Sequence, residues 1–343
     1  MDSRYSDYTE DDYRPRPSRR GSRPRTKRRP DHSDAPIGMV VGVDRGRYRV
    51  EMGEPAEAAA GERAIVTCVR ASALRRTAIV PGDRVRVIGD TSGGEGTLAR
   101  LVEVLERTTV LRRSADDTDP SERVIVANAD QLVVVTATAD PEPSWGLIDR
   151  ALTAAIDAGI TPLLAVTKLD LAPLDDIADR FSATGVEIIP CGFDDTGAPR
   201  VSALSSAVAG RLSVLVGPSG VGKSTLMNAL VPDAARAIGS VNETTGQGRH
   251  TSSSAVCLPL PGGGWIIDTP GVRSFGLAHV DPQNVLAAFA ELVPATADCP
   301  RGCRHLADSP GCALDGWVAS GRAGDSGPAR LASLRRLLSN LAS

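Results

Sequence analysis

Hydrophobic positions along this chain fall into two kinds of run. Between residues 36 and 113 they are short, alternate with polar residues and are broken by turns: 38–43, 47–51, 64–69, 84–88 after Pro81-Gly82-Asp83, and 96–104. Five such strands predict a small β-barrel, with the OB type as the natural candidate. Further on, the runs at 162–166, 186–190, 212–216 and 265–267 are predominantly apolar, interrupted only by Glu187 and Ser213. That suits strands buried on both faces of a parallel sheet. Helices are predicted at 201–210 and 224–230. Asp281-Pro282 supplies a cap and first residue for another, with Val285, Phe289 and Leu292 on one face. Leu331, Leu334, Leu337, Leu338 and Leu341 form a last apolar stripe at helical spacing. Both stripes are expected to pack against the domain built from those apolar strands. The first 35 residues lack this patterning. Asp2, Asp7, Glu10, Asp11 and Asp12 precede a basic run from 14 to 29, and such a segment does not fold alone.

Residues 217–224, Gly-Pro-Ser-Gly-Val-Gly-Lys-Ser, fit GxxxxGK[ST] between a predicted strand and a predicted helix. In that context Gly217, Ser219, Gly220, Val221, Gly222 and Thr225 belong to a backbone cradle for phosphates. Lys223 would neutralise the β- and γ-phosphates, and the Ser224 hydroxyl would hold Mg²⁺. A Gly-rich turn before a helix is the plainer alternative. Of 39 basic residues only Lys27, Lys168 and Lys223 are lysine, and two of them lie in nucleotide motifs.

Thr167-Lys168-Leu169-Asp170 closes the 162–166 run, at a strand end where open α/β sheets bind ligands. Asp170 would accept from guanine's ring N–H and exocyclic amine, a pair adenine does not offer. Lys168 is expected along the base, bracing the phosphate loop, and Thr167 stands where the common motif has Asn. Asp268-Thr269-Pro270-Gly271 gives the DxxG pattern after 265–267. There Asp268 would hold Mg²⁺ through water and the Gly271 N–H would sense the γ-phosphate; alone it would read as a turn. In the polar segment 246–254, Thr251 or Ser252 would complete the Mg²⁺ shell, unless this is an ordinary loop. Many GTPases place a water-orienting Gln just after DxxG; here Val272 stands there, and His250 is expected to take that role. The expected catalytic set is therefore His250, Lys223 and Gly271.

The order of these motifs is rotated, since the base-reading motif precedes the phosphate loop. A circularly permuted G domain follows, with 201–210 as the joining helix and the base-edge loop near 188–192. Val201-Ser202-Ala203 imitates a base-edge motif but sits at a helix start. The chain then leaves the G domain just after the Asp268 segment.

Cys299, Cys303, His305 and Cys312 follow C-x₃-C-x-H-x₆-C, a spacing suited to a closed tetrahedral structural Zn²⁺; a disulfide plus a free thiol is the alternative. Cys68, Cys191 and Cys257 are scattered and expected to be buried bystanders. Arg70, Arg75 and Arg76 follow a predicted strand and would meet phosphates. Only 3% of the chain is aromatic, so recognition of RNA shape and backbone is expected rather than base stacking. Arg335 and Arg336 on the last helix read either as RNA contacts or as a solvated face. The net charge of -3 says little about partners, and no apolar run approaches membrane-spanning length.

These features together resemble the ribosome small-subunit-dependent GTPases, the RsgA (YjeQ) family. The resemblance rests on Thr167–Asp170 preceding Gly217–Ser224, on Gly248-Arg249-His250-Thr251, on the stretch from Asp268 to Leu277, and on the Cys/His cluster. It implies a multidomain α/β chain: a charged tail (1–35), an OB-fold barrel (36–113), a circularly permuted P-loop GTPase domain (114–277) and a helical zinc-binding domain (278–343). It implies GTP hydrolysis stimulated by the small ribosomal subunit, in late maturation of that subunit. It also implies one structural Zn²⁺, Mg²⁺ with GTP or GDP, rRNA gripped by barrel and zinc domain, and a cytoplasmic monomer with no membrane contact. The chain departs from the family pattern in Ser252-Ser253, in a Cys299–Cys303 spacing one residue shorter, and in its long tail. Two other readings remain. One is an RNA-binding assembly factor that holds GTP as a structural ligand; the other is a permuted GTPase of the large subunit.

Overall fold

The computed structural model describes residues 31–53, 64–114, 122–232, 255–269 and 280–342. Strands β1 (Ile37–Asp44), β2 (Arg47–Met52), β3 (Ile65–Arg70), β4 (Arg84–Ile88) and β5 (Ala99–Val104) close a barrel in the order β1-β2-β3-β5-β4. β3 and β5 pair in parallel and the other neighbours antiparallel, the OB arrangement. Alternation explains its interior. Val40, Val50, Val66, Val85, Val87 and Leu101 point inward and are buried, while the residues between them face out. The β1–β2 turn places Arg45 and Gly46 at positive φ, which a two-residue hairpin loop requires.

A two-stranded hairpin, β6 (Val110–Ser114) and β7 (Glu122–Ala127), connects the barrel to a six-stranded sheet. That sheet contains β8 (Gln131–Ala137), β9 (Thr161–Thr167), β10 (Glu187–Cys191), β11 (Arg211–Val216), β12 (Val256–Pro259) and β13 (Gly264–Asp268), in the order β10-β9-β8-β11-β13-β12. All pairings are parallel except β12 with β13. The predicted strands at 162–166, 186–190, 212–216 and 265–267 are β9, β10, β11 and β13. The central strand β8, with its run Leu132-Val133-Val134-Val135, went unpredicted although it carries the same signal. Helices α1 (Trp145–Asp157) and α2 (Asp175–Phe181) pack on one face against Leu132, Val134, Leu164, Val166 and Val214. The next two, α3 (Ser202–Val208) and α4 (Lys223–Leu230), cover Val133, Val135, Leu163, Ala165 and Leu215 on the other. Burial on both faces is why these strands read as largely apolar runs.

The C-terminal helices α5 (Pro282–Ala287), α6 (Ala313–Ala319) and α7 (Gly327–Ala342) share a core of their own. Asp281 caps α5, accepting from Gln283 N at 2.8 Å. Val285, Phe289 and Leu292 meet Leu331, Leu334, Leu337 and Leu338 there. The two stripes expected to pack on the G domain meet each other, and they reach that domain through α1, whose Ile156 joins their core.

Buried polar contacts join these parts, and Ala35–Ser343 is one compact unit. Arg330 of α7, 1% exposed, donates to Asp149 Oδ1 of α1 at 2.8 Å, to Glu291 Oε1 at 2.7 Å and to the Ala288 carbonyl at 2.9 Å. Its guanidinium lies over the Phe289 ring at 4.1 Å. Removing one member of such a buried network costs about 3–5 kcal/mol, because a desolvated charge is left alone. Among the described residues no helix is long and apolar enough to cross a membrane.

Candidate functional site

The C-terminal ends of five parallel strands bring the predicted motifs together. In register, Ala137, Thr167 and Cys191 lie across β8, β9 and β10, and Leu215 lies beside Asp268. The phosphate-binding pattern occupies the turn from β11 into α4. Gly217, Gly220 and Gly222 all take positive φ, and Gly222 forms the cap of α4. At Gly217 a Cβ would stand 2.3 Å from the Val135 carbonyl oxygen, so only glycine lets the loop pass this close to β8.

Lys223 Nζ donates to the carbonyls of Gly217 and Pro218, each at 2.7 Å, so the loop curls around its own lysine. Burial pulls the Lys223 amine below the usual lysine range, against the opposing effect of Asp268. Burial likewise pushes the Asp268 carboxyl up, with Lys223 opposing. Asp268 Oδ1 is buried without a hydrogen-bond partner among the described residues. A desolvated carboxylate oxygen with an open lone pair, near the start of a helix that begins Lys223-Ser224, fits a hard cation such as Mg²⁺. Thr269 beside it is fixed by donating to the Leu215 carbonyl at 3.0 Å.

The base-reading pattern touches the phosphate loop directly. The Thr167 hydroxyl donates to the Val221 carbonyl at 2.6 Å, with the Thr136 carbonyl 3.2 Å away. The brace expected from Lys168 thus comes from Thr167, where the common motif has Asn. Lys168, at positive φ, instead donates through Nζ to the Asp140 carbonyl, and its own carbonyl accepts from Thr138 Oγ1 at 2.6 Å. The Thr138–Pro141 loop after β8 is therefore part of the site, with Pro141 Cδ 3.7 Å from where a Cβ on Gly220 would be. Sequence reasoning missed it along with β8.

Between the two patterns lies a cavity of about 220 Å³. It is lined by Thr167, Lys168, Asp170 and Leu171, by Gly222, Thr225 and Leu226, and by Cys191, Gly192, Phe193 and Pro199. Cys191 and Gly192 belong to the stretch near 188–192 where the base-edge loop is expected. Cys191 is buried, as are Cys68 and Cys257, and burial pushes the Cys191 and Cys68 thiols up to about 11. Cys191 nevertheless borders the cavity rather than standing apart from it. Ser219 and Ser224 belong to the loop and helix already described. His250, Thr251, Ser252, Gly271 and Val272 lie outside the described residues.

In the C-terminal layer Cys299, Cys303, His305 and Cys312 offer ligand atoms all within 4.8 Å of one another. His305 Nδ1 stands 3.7 Å from Cys299 Sγ and 3.8 Å from Cys312 Sγ. Tetrahedral zinc with bonds of about 2.0–2.3 Å has ligand–ligand edges of roughly 3.5–3.8 Å. The donor set therefore fits a metal, and the three cysteines are free thiols, not a disulfide. Burial pulls His305 below the usual histidine range, favouring the neutral ring that ligates. Backbone N–H groups of Ala313 and His305 donate to Cys299 Sγ at 3.3 Å and Cys303 Sγ at 3.4 Å. Arg335 is engaged here: it donates to both Asp315 oxygens, at 2.9 and 2.7 Å, and to the His305 carbonyl at 3.4 Å. Arg336 is the exposed member of that pair.

Comparison with known proteins agrees with this arrangement. Residues 104–278 match the family model described as RsgA GTPase. The chain is similar to proteins named small ribosomal subunit biogenesis GTPase RsgA. It is 37% identical to that of Marinobacter nauticus over 270 residues, 77% of this chain and 74% of the relative. It is 38% identical to that of Azotobacter vinelandii over 296 residues, 83% and 81% of the two. The crystal structure of YjeQ from Thermotoga maritima matches with a TM-score of 0.67 at 24% identity, over 90% of this chain and 99% of that one. YloQ, a circularly permuted GTPase, matches with a TM-score of 0.65 at 23% identity, over 91% and 96%. At those identities the two structures speak to the fold: a barrel, a permuted GTPase sheet and a C-terminal layer.

Proposed function

Since this chain belongs to the RsgA GTPase family, we propose that it hydrolyses GTP as a checkpoint in maturation of the small ribosomal subunit, and that subunit contact completes its active site. One observation carries the nucleotide reading. Two motifs in rotated order, 54 residues apart, meet at the hydrogen bond from Thr167 to Val221, with a cavity between them. In this reading Asp170 accepts from the guanine edge, and the loop from Gly217 through Thr225 holds the phosphates. Lys223 exchanges its loop carbonyls for β- and γ-phosphate oxygens. Ser224, Asp268 through water, and Thr251 or Ser252 would hold Mg²⁺, which when bound would offset charge between the phosphates. The Gly271 N–H senses the γ-phosphate, and His250 orients the attacking water where Val272 does not.

The barrel supports an RNA contact. Arg45, Arg47, Arg70, Arg75, Arg76 and Arg100 are all exposed. Arg47 pairs with Val69 on β3, which pairs with Arg100 on β5, so these two arginines flank Val69 in one row across three strands, with Arg70 in the next row. None of the six is paired with an acid among the described residues. Such a patch supplies sequence-independent attraction to rRNA phosphates. The Cys₃His cluster is read as one structural Zn²⁺ per chain, and the protein as a monomer of the cytoplasm, where ribosomes are assembled.

The test is phosphate release from GTP by the purified chain, alone, with small subunits and with large subunits, using Lys223→Ala as control. Strong stimulation by small subunits alone is expected, and its loss in His250→Ala would support the water-orienting role. Stimulation by large subunits would redirect the function. Tight GTP binding with no turnover under any condition would favour an RNA-binding factor that holds GTP as a structural ligand.

A further inference from the structure

Two of the three described phenylalanines, Phe181 and Phe289, are almost wholly buried, whereas Phe193 is 47% exposed. It stands at the rim of the cavity, and Leu171, 52% exposed, stands at the same cavity. Both are among the few large apolar side chains that the described residues leave in water. The loop carrying Phe193 is tightly built. Asp194 Oδ1 accepts from Thr196 N at 2.8 Å, Thr196 Oγ1 at 2.6 Å and Ala198 N at 3.0 Å. Asp194 N donates to the Ala198 carbonyl, Arg200 N to the Gly192 carbonyl, and Phe193 bridges to Pro199 across the loop. The ring is thus held at the cavity by a folded turn.

We propose that Phe193 is the base-recognition wall of this site, offering its ring face to the flat face of the nucleobase while Asp170 reads the edge. The inference rests on the guanine-nucleotide reading given above. An apolar ring fixed in water beside an apolar cavity gains from burial against a planar partner. Lys168 and Asp170 give the cavity polar groups that fix orientation. A ligand with a π-face and a hydrogen-bonding edge suits this combination; a bare polyphosphate does not use it.

The experiment is calorimetric titration of the full chain with GDP and, separately, with inorganic tripolyphosphate. Base–aromatic stacking is worth enough that Phe193→Ala should weaken GDP binding by about 5- to 100-fold. Tripolyphosphate affinity should stay unchanged. Phe193→Trp should restore GDP binding, and its new fluorescence should change on adding GDP. Equal GDP affinity in wild type and Phe193→Ala would overturn the inference alone. Parallel loss of GDP and tripolyphosphate binding would overturn it too, by pointing to collapse of the loop. A wild-type chain that binds no GDP would overturn the parent reading, and this one with it.

Discussion

Trp265 of β13 donates its indole N–H to Glu51 of β2 at 2.9 Å, joining the barrel to the strand that ends at Asp268. Both side chains are buried, at 6% and 4% exposure. Around them the barrel's Val41 shares a core with Cys257 and Ile267 of the sheet. The strand that carries Arg47 and the strand that ends at Asp268 are thus attached to opposite ends of one buried hydrogen bond. Glu51→Ala leaves the indole N–H unpaired and is expected to destabilise the chain by about 1–3 kcal/mol, with Glu51→Gln recovering most of the loss. Urea unfolding followed by tryptophan fluorescence checks this; equal stability of the Ala and Gln variants would argue against the bond.

Asp268 gives a pH-dependent expectation. Its folded pKa is raised, chiefly by burial and after allowing for Lys223. A raised carboxyl pKa favours folding below its unfolded value of about 3.9, and that contribution is lost as pH rises through the folded pKa. At pH 7 the ionised carboxylate therefore weighs against the nucleotide-free fold. Asp268→Asn should raise the melting temperature of the nucleotide-free chain at pH 7, by an amount that shrinks as pH falls. The same variant should lose Mg²⁺-dependent nucleotide binding. A thermal shift series in pH with and without GDP and Mg²⁺ measures both, and a less stable Asn variant at pH 7 would refute the argument.

The cysteine–histidine cluster predicts one zinc per chain by metal analysis. Stripping it with a strong chelator, or substituting Cys303→Ser, should lower stability by about 3 kcal/mol or more, roughly 10 °C in melting temperature. Trp317 reports on the event, since its Nε1 donates to the Glu291 carbonyl inside the same layer. Unchanged melting of a metal-free chain would remove zinc from the fold.

Much of this was legible in residue order. The phosphate loop, the strand ends at Thr167 and Asp268, the barrel strands and the C-x₃-C-x-H-x₆-C cluster are local patterns, and each lies where its pattern implied. What escaped were relations between distant segments. β8 had a clear apolar run, but no motif drew attention to it, so the Thr138–Pro141 loop was missed with it. Phe193 follows a glycine and precedes the Asp194-Asp195-Thr196-Gly197 turn signal, yet its exposure depends on how that turn folds back on Pro199. The apolar stripes of α5 and α7 revealed which faces are buried, but not that they bury each other. Nothing in the spacing of Glu51 and Trp265 announces their contact.

The Asp149–Arg330 pair has a consequence for the order in which the molecule is completed. Asp149 is made 31 residues before Arg180, whose Nη2 lies 3.5 Å from Asp149 Oδ2, and 181 residues before Arg330, which donates to Oδ1 at 2.8 Å. While a nascent chain emerges, the first helix of the GTPase sheet therefore carries an acid with one arginine at hand and its closer one still to come. Burying an acid whose hydrogen bonds are incomplete is disfavoured, so α1 settles fully only when α7 brings Arg330 and Ser333. The GTPase sheet and the C-terminal layer then complete their folding together, and a partly made chain does not present the finished sheet.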